Sequence, residues 1–155
     1  MSAVAAIRPD QWDLPLFLHV LGALTLVGAL ALCTVLLTAA WRQGSPEGLG
    51  QALRALTLGA LPAWIVLRVS AEWIFEKEGY NDVEKTPTWL GIGYMVSDVG
   101  FLLIVVAGLL GWFALRRARA DGTRPSGSVR VAAILVALLV ALNVVALWAM
   151  TTKPG

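Results

Sequence analysis

The chain has 155 residues, of which 58% are hydrophobic and 14% charged, and a formal net charge of +2. So few charges exclude an ordinary soluble domain, and the lack of a basic soluble module sets nucleic acid aside as a partner. A single cysteine, Cys33, excludes an internal disulfide and a cysteine-cluster metal site.

Four apolar runs follow one another, at residues 14–40, 55–75, 94–115 and 131–150. Each reaches the roughly 20 residues that a helix needs to cross about 30 Å of hydrocarbon. Lipid tolerates only helices or closed barrels, and these runs do not alternate with period two. The expected fold is an all-α membrane protein. It is a four-helix transmembrane bundle running up-down-up-down, in one domain spanning residues 1–155.

The first run is too long for a signal-peptide core, and its flank carries Arg8 against Asp10 and Asp13, so it is expected to stay in the mature protein. Asp13 reads as an N-cap, Pro15 suits the first turn, and Trp12 suits the interface. Gly22, Ala23, Gly28, Ala29 and Cys33 would let neighbouring helices approach closely. The run closes on Trp41 and Arg42, a second interface signature.

Ser45-Pro46-Glu47 has the pattern of a cap, a proline and an acid in a first turn, so helix two is expected from near Pro46 to Phe75. Pro62 leaves the Leu58 carbonyl without its usual partner and predicts a kink. The segment from Glu76 to Thr88 reads as an acidic, solvated loop. Thr86-Pro87 reads as the start of helix three, which would end around Arg119, with Gly91 and Gly93 making its first turns pliable. Residues 116–130 read as a basic linker before the last span.

The first and third connections hold Arg42, Arg54, Arg116, Arg117, Arg119, Arg124 and Arg130. The tails and the middle loop hold Arg8, Lys77, Lys85 and Lys153. The positive-inside rule then puts the first group in the cytoplasm and both termini outside.

Within the spans, His19, Arg68, Glu72, Asp98 and Asn143 fall roughly 5 to 13 Å below the outer helix ends, counted at 1.5 Å per residue. Every span contributes at least one member to this polar layer. Unpaired charge in a bilayer is so unfavourable that alignment at one depth implies pairing or function. Arg68 and Glu72 share a helical face, and Asp98 could join them from helix three. Two carboxylates around one guanidinium leave an excess negative charge unless a proton is shared. The plainer reading of these three is an ion-pair network that fixes packing. His19 is either a hydrogen bond between helices or a ligand to a metal or haem iron. Met95 and Met150 lie near the outer ends and carry thioethers suited to Cu(I), although flexible packing is their ordinary role. Asn143 reads as an amide bond between helices.

The run Leu18-His19-Val20-Leu21-Gly22-Ala23, the Ala/Leu-rich stretch to Trp41-Arg42, and the ending Trp148-Ala149-Met150-Thr151-Thr152-Lys153-Pro154-Gly155 resemble small bacterial four-span proteins of unknown function. More remotely they are similar to the copper-resistance D membrane proteins and the HemJ-type protoporphyrinogen oxidases, which also place a histidine in an early span. The resemblance implies a bacterial inner-membrane bundle with His19 as a haem b or copper contact. The chain has no second histidine, so paired-histidine haem ligation within one chain is impossible, and His–Met ligation, as by His19 with Met95, or a site shared between two copies would be needed instead.

Three functions are consistent with these residues. The favoured one is binding of a ligand (haem, metal or a small polar molecule) at the polar layer. The others are an accessory role, with the layer as packing against a membrane-protein partner or a second copy, and a proton or small-solute pathway. No hydrolase triad, phosphate loop or zinc motif points to an enzyme.

Overall fold

The computed structural model describes residues 13–78, 87–122, 124 and 127–153, and helices account for nearly all of them. Four helices are long and apolar enough to cross a membrane. They are α1 (Asp13–Gln43), α2 (Pro46–Lys77), α3 (Thr88–Asp121) and α4 (Gly127–Thr152). All four extend past the apolar runs, because polar residues at a helix end in the headgroup region can still satisfy the backbone helically.

The boundaries follow local chemistry. α1 takes in Asp13 as its first residue, so this carboxylate sits in the first turn, where it complements the helix dipole. Gly44, at φ +66°, reverses the chain after α1, a conformation that costs glycine little. Ser45 then caps α2, its Oγ accepting from the Gly48 N–H at 3.1 Å. Pro46 follows at the first helical position, where a missing N–H costs nothing. α3 opens at Thr88 with Pro87 just before it; Thr86 and most of the acidic loop lie outside the described residues. The expected basic linker is shorter than its arginines suggested. Arg116, Arg117 and Arg119 are still in α3, and Arg130 is already in α4.

Pro62 leaves its mark on α2 as a widened turn. In an α-helix its ring would meet the Leu58 carbonyl, and it has no N–H to donate. The turn ahead of it widens into a π-helix over Ala55–Ala60, closed by the Leu61 N–H donating to the Leu56 carbonyl. Such a turn accommodates an extra residue within an otherwise regular helix.

Neighbouring helices run antiparallel. Gly22 faces Leu67 and Gly59 faces Ala29 across α1 and α2. Gly93 faces Met150 and Gly100 faces Leu139 across α3 and α4. Arg130 lies over the Trp41 ring, joining the start of α4 to the end of α1. Lys77 and Lys153 therefore mark one end of the bundle, and the arginines mark the other. α1 packs extensively against α2 and α4, and α3 against α4, while α2 and α3 meet more sparsely. The core is aliphatic, with Leu30, Leu49, Val129 and Leu139 fully buried. Large apolar side chains also cover the outside, among them Leu24, Val35 and Leu58. That arrangement suits a hydrocarbon surrounding rather than water.

Small residues set the closest approaches. A Cβ on Gly22 would lie 2.9 Å from the Leu67 backbone nitrogen. Gly28, by contrast, faces open space. Gly93, expected to add pliability, instead admits the Met150 methyl group.

Candidate functional site

The polar cluster forms where α2 and α3 meet least tightly. Trp64, Arg68, Glu72 and Phe75 recur at helical spacing along one face of α2, and Tyr94, Ser97, Asp98 and Phe101 do so on α3. Their contacts bridge the seam. The Trp64 indole N–H donates to the Ser97 carbonyl at 2.9 Å, and its ring stacks on Phe101 with centroids 4.6 Å apart. Phe75 meets the Tyr94 ring edge-on at 5.9 Å.

Arg68 is the hub. Its Nη2 lies 3.1 Å from Glu72 Oε1 on the same helix. Its Nη1 lies 3.3 Å from Asp98 Oδ1 on α3. The guanidinium also covers the Tyr94 ring, 4.6 Å from the centroid, a cation–π contact that strengthens as water is removed. The two carboxylates are much more open than the arginine: 46% of the Glu72 side chain and 65% of the Asp98 side chain is accessible, against 27% for Arg68.

Hydrogen bonding in the cluster is incomplete. Arg68 Nη1 is close to Asp98 but misaligned with it, and it has no hydrogen-bond partner. The Tyr94 hydroxyl faces Glu72 without a well-directed bond. His19 reaches the Leu67 backbone, one residue before Arg68, while its Nδ1 is buried and unpartnered. The Gly22 approach explains this placement, since α1 can bring His19 to α2 only where the backbones come together. These three atoms make up the buried side-chain nitrogens and oxygens left without a partner among the described residues.

The remaining candidates lie apart from these contacts. Asn143 donates its Nδ2 to the Leu139 carbonyl of its own helix at 2.9 Å. Met95 is 61% exposed. It is two residues from Gly93, so it points away from the side of α3 that receives Met150. The described residues give no support to a haem or metal centre. His19 is the single histidine, Met95 faces outward, and no group of three or more His, Cys, Asp or Glu able to hold a metal occurs among the described residues. Cys33 is buried against the Ala52 carbonyl, its Sγ at 3.5 Å.

Tyr94, Trp64 and Ser97 were not singled out by the sequence reading. The signal was available, because Trp64 and Arg68, like Tyr94 and Asp98, are four residues apart and therefore share a helical face.

No protein-family model, curated protein or solved structure matches this chain.

Proposed function

We propose that the chain is a small polytopic protein of the bacterial inner membrane, with its arginine end in the cytoplasm and both termini outside, that binds a small polar molecule at the α2–α3 seam. One observation carries the ligand reading: two buried atoms lacking partners, Arg68 Nη1 and Tyr94 Oη, belong to one polar cluster, and a third, His19 Nδ1, lies on α1 where it reaches the Leu67 backbone beside that cluster. Leaving such groups unmet inside a low-dielectric region is costly, and a bound polar molecule would satisfy them. The half-open carboxylates of Glu72 and Asp98 give the cluster a way out to the surface and an excess of one formal negative charge.

The test is a thermal-shift screen of the detergent-purified protein against small polar compounds, cationic and neutral, with Tyr94→Phe and Arg68→Lys variants alongside. Compounds that raise the wild-type melting temperature and fail to raise that of the variants support the reading. A screen with no stabilising compound, together with a Tyr94→Phe protein as stable as wild type, counts against it.

A second reading is structural, favoured by the Arg68–Asp98 and Trp64–Ser97 contacts that tie α2 to α3 where packing is otherwise thin. Under it the cluster stabilises the bundle, and the protein serves as an accessory to a membrane partner. A proton or solute pathway is the third. It predicts that Asp98→Asn abolishes a pH-dependent flux in liposomes without unfolding the protein.

A further inference from the structure

The bundle ends differ in their cations. Lys77 and Lys153 serve one end, whereas Arg42, Arg54, Arg116, Arg117, Arg119, Arg124 and Arg130 serve the other. None of these seven arginines is in an ion pair with a carboxylate of the described residues; Arg68, at the other end, is in two.

Two of the seven, Arg116 and Arg119, line one groove, and a third, Arg54, is on the neighbouring helix. An open groove of about 350 Å³ runs along α3 and is lined by Trp112, Leu115, Arg116, Arg119 and Ala120. Arg116 lies over the Trp112 ring at 5.5 Å, which holds its guanidinium beside the groove. Arg119 Nη2 comes within 3.9 Å of where a Cβ on Gly50 would sit, so the bare Gly50 backbone on α2 leaves room for it. Arg54 is one turn beyond Gly50 on the same face of α2 and is exposed. The contacts of Gly111 with Leu53 and of Gly108 with Leu56 place its backbone near the level of Leu110, a little under two turns from Arg116, toward which its long side chain can extend.

Below the arginines the same face of α3 turns apolar, with Val105, Leu109 and Trp112 exposed one above another. A hydrocarbon stripe leading up to a tryptophan and then to unpaired guanidinium forks has the order of an acyl chain, an ester region and a phosphate. Guanidinium groups bind phosphate oxygens bidentately.

We propose that this groove is a binding site for the headgroup of an anionic phospholipid, with Arg54, Arg116 and Arg119 on the phosphate and one acyl chain along Val105, Leu109 and Trp112. The apolar stripe commits the site to lipid over free phosphate, which could use only the arginines. This proposal is independent of the cluster around Arg68, which occupies the other half of the same seam.

Native mass spectrometry of the full-length protein, released from detergent with phosphatidylglycerol or phosphatidylcholine present, tests it. Wild type is expected to retain phosphatidylglycerol with a preference on the order of a hundredfold, the combined worth of three interfacial arginines toward anionic lipid. The triple variant Arg54→Gln/Arg116→Gln/Arg119→Gln should lose the preference. A control, Arg42→Gln/Arg124→Gln/Arg130→Gln, removes as many charges from the same end and should keep it. Gly50→Glu, which places a carboxylate beside Arg119 without removing any arginine, should weaken retention and serves if the triple variant does not fold. Equal loss in the control would assign the preference to the general field of the arginine end and overturn the site. Displacement of the lipid by millimolar inorganic phosphate would overturn the lipid assignment.

Discussion

Trp64 donates its indole N–H across the seam to the Ser97 carbonyl at 2.9 Å, a hydrogen bond between side chain and backbone that joins α2 to α3. The same ring stacks on Phe101, so a single side chain carries both a directional and an apolar tie. Replacing Trp64 with Phe keeps a ring for the stack and removes the donor. The expected loss is about 1 kcal/mol, the net worth of an ordinary hydrogen bond. Trp64→Ala should cost more, because both ties go. Unfolding in mixed detergent and SDS measures the two, and a Trp64→Phe protein as stable as wild type would show that the hydrogen bond contributes nothing.

Gly22 and Gly28 make a matched pair for a packing test on one helix. A methyl group at Gly22 meets the Leu67 backbone nitrogen at 2.9 Å and Cα at 3.1 Å, and backbone cannot rotate away. Gly22→Ala should therefore force α1 and α2 apart and lower stability by about 1 to 3 kcal/mol, as overpacking does. Gly28→Ala meets nothing within 4 Å and should be neutral or slightly stabilising. A Gly22→Ala protein that unfolds like wild type would mean that α1 and α2 are not in this close contact.

Arg68 pairs with Glu72 and with Asp98. Arg68→Leu leaves two carboxylates without their cation and, in a hydrocarbon surrounding, is expected to cost at least about 2 kcal/mol, since removing one member of a partly buried pair leaves uncompensated charge. Adding Asp98→Leu to that variant should recover part of the loss. A double variant no more stable than Arg68→Leu alone would show that the pair across the seam is solvated and weak. The melting temperature in detergent is the readout.

The four-helix plan was legible because its cause is gross: long apolar runs have few alternatives in lipid. The pairing of Arg68 with Glu72 was legible too, since four residues along a helix is a fixed geometry. The widened turn at Ala55–Ala60 was not. Pro62 announces a disturbance, but whether a helix bends or takes up an extra residue depends on what the following segment must face, here Arg68 and Trp64 toward α3. Asn143 shows the same limit. An amide in a span needs a partner, yet residue type cannot say whether that partner is a neighbouring helix or, as here, the carbonyl one turn back.

Deleting Leu58 tests the reading of that turn. Leu58 lies in the π-helical segment and is 76% exposed. Its loss should convert the wide turn toward an α turn and leave the faces on either side in place. Deleting Val66 instead should rotate the preceding helix against Arg68 by about 100°. The first protein is expected to fold with stability near wild type and the second to be severely destabilised, as judged by gel filtration and thermal melting. Equal damage from both would remove the special status of the turn.

Cys33 offers a check on the core. It is fully buried against Ala52, and thiol reagents need access to react. Maleimide labelling of the folded protein in detergent should be very slow and should become fast on SDS unfolding. Rapid labelling of the folded protein would mean that α1 and α2 separate readily at that level.

The contrast between the tight α1 contacts and the polar ties of the α2–α3 seam bears on how the protein could breathe. Interlocked methyl groups must disengage together, whereas hydrogen bonds and ion pairs can be traded for water singly. Loosening would therefore begin at Trp64, Arg68 and Tyr94 and proceed by small steps, with α1 and α4 acting as the fixed spine.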